Sequence, residues 1–458
     1  MFKALQLSQL VQPLQAQLIG DDVAFSALST DSRKVTAGQL FVALRGEFFD
    51  GHSYLADVAK RGAVALVVEE IAPDLAIPQL CVADTRIALG QIALLNRQQF
   101  SGKTVAVTGS SGKTTVKEML ASICRSALGE TAVLATRGNL NNELGVPFTL
   151  LELNAQHRAA VVELGASRLG EIAYTAALVQ PQVAVINNAG MAHAGEFGGP
   201  EKIILAKGEI LDGLGADNTA VLNLDDAAFP QWRARNSKCR VLSFSLSNPD
   251  ADFYASEVIS NAQGRMGFTL QGAAGECFIQ LAVLGLHNVS NAVAAAAAAH
   301  ALGLSLQAIK QGLESMHAIS GRSVVYQCNN HVQVIDDSYN ANPASIRAAI
   351  DVLQNMPGQR VLVLGDMGEL GAWAEQEHAA IGHYAQGKVD AMFAVGPLMK
   401  HATEQYLGVS GHFLDQNSLI EALLTHVSGP STLLIKGSRS AAMENIVVAL
   451  RTGLGETH

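Results

Sequence analysis

VAVTGSSGKTTVKEMLASICRSALG, residues 105 to 129, decides how this chain folds. An apolar run comes first, then a loop of glycine, serine, lysine and threonine. Val116, Met119, Leu120, Ile123 and Ala127 then recur at helical spacing and stop before Gly129. The order strand, loop, helix places a glycine-rich turn at a helix N-terminus, where backbone N–H groups and the helix dipole favour an anion. Gly109 and Gly112 let the backbone wrap phosphates, with Ser110, Ser111 and Thr115 completing the loop. Lys113 is spaced to reach the terminal phosphates and Thr114 to offer a hydroxyl to Mg²⁺. The bland alternative is an ordinary glycine turn between strand and helix. The usual GxxxxGK[ST] pattern is shortened here, since position 107 is valine.

SGKT occurs twice, at 101–104 and 111–114. The first copy precedes the strand and has no helix behind it, so it cannot aim N–H groups at a phosphate. It is a chance match.

Apolar runs ending in polar or glycine residues continue outward from this unit: AAVVELG (159–165), QVAVINNAG (182–190) and AVLNLDD (220–226). Such runs, separated by helical stretches, read as parallel strands buried on both faces, with the ligand site at their C-terminal ends. A nucleotide triphosphate needs divalent metal, and metal needs oxygen ligands at that edge. Glu163 ends its strand where a carboxylate on an apolar segment would be costly unless it met a cation; the alternative is a Glu turned to solvent. His193, in the glycine-rich loop after the next strand, and Lys207, in AKGEIL, are candidates by position, against the plainer readings of surface His and solvated Lys.

Further along, GLHNVSNAVAAAAAAHA (285–301) puts Asn288 and Asn291 near the start of an alanine-rich helix, as cap or as polar recognition. Residues 277–309 lack Asp, Glu, Lys and Arg, but their Gln, His and Asn would be penalised in a bilayer, so this stretch is expected to be a buried Ala-rich helix. Arg322, in SGRS, falls at a domain junction from which it reaches a phosphate only on closure. VIDDSYNANP (334–343) brings Asp337 to a strand end, with a plain Asp/Asn/Pro turn as the alternative. After Gly358 a third series, RVLVLGD, DAMFAVG and STLLIKGS alternating with helical segments, outlines a separate βαβ domain.

The first hundred residues mix short strands (FVALRG, AVALVVEE) with helical stretches, giving a small α/β domain. The expected fold is therefore α/β in three domains: a small N-terminal α/β domain (1–100), a central P-loop parallel-sheet ATPase domain (101–318) and a C-terminal Rossmann-like domain (319–458). The formal charge of −10 excludes a general nucleic-acid binder, which needs a basic footprint. Five scattered cysteines without CxxC pairing point to neither a disulfide framework nor a zinc site. The N-terminus has no leader-like apolar run, so a cytoplasmic protein without stable membrane insertion is expected.

TGSSGKT, the strand-end ELG at Glu163, His193 followed by AKGEI, GxHNxxN at 285–291, SGR and DDSYNANP, in this order, resemble the Mur ligases. The resemblance spans essentially the whole chain, and VLGDMGELG (363–371), KGSR (436–439) and the N-terminal TDSRKVTAGQLFVALRGEFFDGHSYL extend it. It implies an ATP-dependent amide ligase of peptidoglycan synthesis that joins D-alanyl-D-alanine to UDP-muramoyl tripeptide through an acyl phosphate. It further implies that Thr114 and Glu163 ligate one Mg²⁺ while His193 and Lys207 serve a second, with Lys207 carbamylated as in several members. By the same resemblance Asn288 contacts adenine, Arg322 the phosphates and Asp337 the ribose, Lys113 stabilises charge during transfer, and the enzyme is a monomer. Asp31, Ser32 and Arg33 resemble a uridine-side motif, and Thr136, Asn139 and Asn142 lie on a loop near the sheet edge. Both sets are equally readable as turn and cap chemistry. Within the family the alternatives are a ligase adding the third peptide residue or a folylpolyglutamate synthase. Outside it stands a P-loop kinase or nucleotide switch.

Overall fold

Strands Leu40–Val42 and Ala65–Val68 are apolar at every position because their sheet is covered on both faces. Leu40 and Val42 enter a cluster with Leu7, Leu10 and Phe25, whereas Phe41 and Ala43 enter another with Leu55 and Val58. The computed structural model describes Met1 and residues 3–191, 194–261 and 264–457. Within it the contacts divide the chain into two units, Met1–Ala106 with Glu130–Leu164 and Ala173–Pro181, and Val107–Gly129 with Gly165–Ile172 and Gln182–His458.

In the first unit the five-stranded sheet runs in the order Gln17–Ile19, Gln79–Cys81, Ala65–Val68, Leu40–Val42, Leu28–Ser29, parallel except for its first strand. Helix Thr85–Arg97 follows, started by Asp84, whose carboxylate accepts from Arg86 N and Ile87 N. Strands Ala159–Glu163 and Val133–Ala135 pair in parallel, and Lys103 N donates to Arg158 O at 2.9 Å. The first SGKT thus leads into strand Lys103–Thr108 and no helix starts on it.

The second unit holds a run of strands in the order Val183–Ile186, Thr219–Asn223, Arg240–Ser245, Phe253–Ser260, Arg265–Gly272, Cys277–Leu284. The last three form antiparallel ladders, so this sheet is parallel only in part. The charge-free segment 277–309 accordingly opens with an edge strand instead of a helix. Buried and half-buried positions alternate along residues 279–283, the two-residue period of a sheet. The buried helix is Leu286–Ala301, whose alanines allow close packing on helix Lys113–Leu128 and on the strands. Among the described residues no helix is long and apolar enough to cross a membrane.

The same unit contains a six-stranded sheet in the order Val324–Cys328, Val332–Asp337, Ser431–Lys436, Gln359–Gly365, Ala391–Val395, Val409–Phe413, parallel after its antiparallel first pair. Apolar clusters centred on Ile335, Leu362 and Leu434 on one face and Val334, Val363 and Leu433 on the other sandwich it. Ligand-bearing loops of such sheets leave the C-terminal strand ends, where Asp337 and Lys436 lie.

Candidate functional site

Gly112 caps helix Lys113–Leu128 at φ +76°, a conformation that favours glycine. A Cβ there would come within 2.5 Å of both Asn187 Nδ2 and Asn291 Oδ1, so the loop lies directly against two asparagine side chains. Asn187 Nδ2 donates to Ser111 O at 3.0 Å and to Asn291 Oδ1 at 2.9 Å. Asn188 holds the loop from the other side, accepting from Ser110 N at 3.0 Å through its carbonyl and from Ser111 N at 2.8 Å through Oδ1. The sequence suggested a loop whose backbone wraps the phosphates. The amides of Ser110 and Ser111 are instead engaged by Asn188, which leaves the first turn of the helix at Lys113, Thr114 and Thr115 as the anion-facing end. Lys113 arcs back over the loop, its Nζ donating to Gly109 O at 2.8 Å.

Beside this loop opens a cavity of about 260 Å³. Val283, Met316, Ile319, Ala344 and Ala348 give it an apolar wall suited to a flat base, and Ser111, Gly112, Arg322, Asp337 and Lys436 give it a polar end. His287, Asn288 and Asn291 also line it. The capping alternative for the asparagines fails: Gly285 is the helix N-cap, and Asn288 sits inside the helix with Nδ2 donating to Leu284 O at 2.8 Å and Oδ1 accepting from Asn291 at 3.0 Å.

The segment carrying Arg322 and Asp337 is docked on the phosphate loop. Arg322 Nη2 donates to Thr114 Oγ1 at 2.9 Å while its guanidinium lies 4.4 Å from the centre of the Tyr339 ring. Asn342 caps helix Pro343–Gln354 in a capping box with Ser345 and at the same time donates to Ser111 Oγ at 2.9 Å. The Asp/Asn turn is therefore both a cap and a contact. Asp337 accepts from Lys436 Nζ at 2.6 Å and from Ser323 N at 3.1 Å. A third tie, Gly195 N to Glu369 O at 2.9 Å, lies where Trp373 packs with Phe197 and Ala194.

Lys207 is not a solvated helix lysine. It is 1% exposed on helix Pro200–Gly208, with Nζ 5.4 Å from the Phe197 ring centre. Burial, reinforced by the Lys113 charge and opposed by Glu209 and Glu171, pushes its pKa down to about 7. His193 lies outside the described residues.

Glu163, in the first unit, is 2% exposed. Its Oε1 accepts from Asn141 Nδ2 at 2.7 Å, and Oε2 is buried without a hydrogen-bond partner. An orphaned anionic oxygen of this kind fits a cation ligand and does not fit a Glu turned to solvent. Among the described residues no three His, Cys, Asp or Glu side chains converge on one metal position. A cation such as Mg²⁺, which keeps several waters and takes phosphate oxygens, needs no such protein cage.

The six residues offered for substrate divide differently. Asp31 and Arg33 pair with each other, with Arg33 Nε donating to Asp31 Oδ1 at 2.9 Å and holding that carboxyl down to about 2. Ser32 is half-buried beside them and Arg33 exposed. Thr136 is buried, its Oγ1 accepting from Glu163 N at 3.0 Å. Asn142 Oδ1 accepts from Gly145 N at 2.8 Å in a cap-like contact, and Asn139 is exposed. Asn141, Asn187, Asn188, Asn342 and Lys436 were not singled out as site residues from the sequence, although NN at 141–142, INN at 186–188 and KGSR at 436–439 were all in view.

Three family models match the chain: Mur ligase family, catalytic domain, over residues 24–97; Mur ligase middle domain over 107–299; and Mur ligase, glutamate ligase domain, over 321–439. The chain is 44% identical over 448 residues to the UDP-N-acetylmuramoyl-tripeptide–D-alanyl-D-alanine ligase of Escherichia coli (strain K12), covering 97% of this chain and 98% of that protein. Among solved structures, MurF from Acinetobacter baumannii matches with a TM-score of 0.93 at 40% identity, over 98% of this chain and 99% of that one. MurF ligase from Thermotoga maritima in complex with ADP matches with a TM-score of 0.85 at 27% identity, over 93% and 97%.

Proposed function

The chain belongs to the Mur ligase family, and on that premise we propose that it joins D-alanyl-D-alanine to UDP-N-acetylmuramoyl-tripeptide at the expense of ATP, giving UDP-N-acetylmuramoyl-pentapeptide, ADP and phosphate. The observation that carries this reading is 44% identity over 97% of the chain to a relative named for that reaction. The half-apolar, half-polar cavity beside the Lys113 helix supports it independently.

A carboxylate is a poor electrophile at neutral pH. Transfer of the γ-phosphoryl group to the tripeptide's terminal carboxylate gives an acyl phosphate and releases ADP. The amine of D-alanyl-D-alanine attacks the acyl carbon, a proton is lost from nitrogen, and phosphate leaves as the amide forms. Lys113, poised over the loop, faces charge that builds on the transferring group, and Arg322 adds a second cation at the same end of the cavity. Asn288 and Asn291 hold the base side, and Asp337, fixed by Lys436, faces the ribose. No nucleophilic side chain is needed.

Mg²⁺ would supply charge neutralisation of the triphosphate, with the Thr114 hydroxyl and, in the first unit, the bare Glu163 oxygen each offering a protein ligand, and His193 and Lys207 serving further metal binding. Lys207 suits carbamylation: near pH 7 much of it is free amine, which adds to CO₂ with loss of a proton and becomes an anionic oxygen ligand. The domain boundaries near 100 and 318, a monomeric state and a cytoplasmic setting complete the same reading.

The test is ADP release from ATP with UDP-muramoyl tripeptide, with and without D-alanyl-D-alanine. Turnover is expected only with both. Release with the dipeptide absent, or none with both present, overturns the proposal.

A further inference from the structure

Three polar groups of Glu163 are treated in three ways. Its main-chain N–H donates to Thr136 Oγ1 at 3.0 Å, its Oε1 accepts from Asn141 Nδ2 at 2.7 Å, and its Oε2 has no hydrogen-bond partner although it is buried. Leaving one oxygen of a buried carboxylate bare is unfavourable unless a ligand completes it. A side-chain amide nitrogen only donates, so Asn141 fixes which carboxyl oxygen it holds. With the backbone held by Thr136 and one oxygen by Asn141, the carboxylate plane has little freedom left.

Both holders sit on one loop that is itself pinned. Asn142 Oδ1 accepts from Gly145 N at 2.8 Å and its carbonyl from Val146 N at 3.0 Å, so the loop ends in the start of helix Gly145–Leu151. At Gly145 a Cβ would meet Leu140 C at 2.4 Å, so only glycine lets the chain close this tightly. Asn141 lies between the two ends with its amide turned to Glu163.

We propose that Asn141 is a positioning residue that holds Oε1 of Glu163 so that Oε2 is presented to a divalent cation. The inference rests on Glu163 being a metal carboxylate, and the experiment separates the two claims.

The full chain is titrated with Mn²⁺ in the presence of saturating ADP, and free Mn²⁺ is counted by electron paramagnetic resonance. Glu163→Gln should lose one Mn²⁺ site. Asn141→Ala should keep that site but weaken it by about 10- to 100-fold, the range for removing a partner that orients a metal ligand. Asn141→Leu, which keeps the volume and removes the donor, should do the same. In both Asn141 variants the Mg²⁺ needed for half-maximal ligase rate should rise in parallel, and excess Mg²⁺ should restore the rate, which a merely structural defect would not allow. An unchanged Mn²⁺ count and affinity in Glu163→Gln removes the metal reading of Glu163 itself. Loss of the site in Glu163→Gln with wild-type affinity in the Asn141 variants overturns only the positioning role. Failure of both Asn141 variants to fold also overturns it, since Asn141 would then be a stability residue.

Discussion

Arg322 donates to the hydroxyl of Thr114 at 2.9 Å across 208 positions of sequence. The contact brings this arginine to the first turn of the phosphate helix, and the same guanidinium lies 4.4 Å from the centre of the Tyr339 ring. Arginine can stack and donate at once because its donors lie in one plane; a lysine ammonium cannot. Arg322→Lys therefore keeps the charge and loses the geometry. A charge-assisted hydrogen bond contributes about 1.5–3 kcal/mol, so kcat/KM for ATP is expected to fall by roughly ten- to a hundredfold. Steady-state kinetics with ATP varied at saturating second substrates checks this, and wild-type values in the variant would show that the contact does not bear on catalysis.

Lys207 offers a chemical test of its buried amine. If the residue acts as a carbamate, Lys207→Ala removes an anionic ligand and opens a cavity that a small carboxylic acid can enter. Activity should drop by at least about a hundredfold, in line with the loss of a group that stabilises charge in the transition state. Added formate or acetate should restore part of it in a concentration-dependent way. Full activity in the plain variant would remove Lys207 from the site, and a dead variant deaf to both acids would argue against the carboxylate role.

Much of this arrangement was legible in sequence because local signals and global fold agree there. Apolar runs ending in glycine gave the buried strands, and the glycine positions around Lys113 gave the loop. What was not legible depends on partners far along the chain. Residues 277–284 are charge-free like the helix behind them, and short apolar runs do not distinguish strand from helix until an adjacent strand supplies a ladder. Asn139, Asn141 and Asn142 crowd into four positions, yet only Asn141 reaches Glu163, 22 residues on. No spacing rule separates it from its neighbours. Likewise the amides of Ser110 and Ser111 belong to Asn188, which lies 77 residues after Ser111.

A pH effect follows from His378, which is fully buried. Its Nε2 accepts from Met367 N at 3.0 Å and its Nδ1 faces Ala374 O at 2.6 Å, so the neutral ring with the proton on Nδ1 satisfies both. Burial pushes its pKa below the ordinary value of about 6.5. The native state thus binds fewer protons than the unfolded chain, and stability from this group is present above about pH 6.5 and is lost as pH falls through the folded pKa. Thermal unfolding between pH 8 and 5 should show a steeper loss in the wild type than in His378→Gln, which cannot titrate here. Parallel curves would mean that the ring is not held neutral. Because His378 fastens Met367, in the segment that continues to Glu369 and its tie to Gly195, the acid loss should be accompanied by weaker ADP binding.

Lys436 and Asp337 make the last test. Lys436 is 4% exposed and gives Nζ to Asp337 Oδ2 at 2.6 Å and to Asn340 O at 2.9 Å. A buried lysine and a half-buried aspartate are tolerable together, whereas either charge alone is costly. Lys436→Met leaves the Asp337 carboxylate uncompensated on the cavity wall, where it repels an anionic nucleotide. ADP affinity should fall by about tenfold or more, equivalent to at least about 1.4 kcal/mol. In an Asp337→Asn background the same lysine substitution has no carboxylate to strand, so its effect should shrink to a small fraction of that. Calorimetric titration of ADP into the wild type, both single variants and the double variant closes the cycle. An equal effect of Lys436→Met in both backgrounds would mean that the lysine acts on the nucleotide itself, and the ion pair would lose its place in the site.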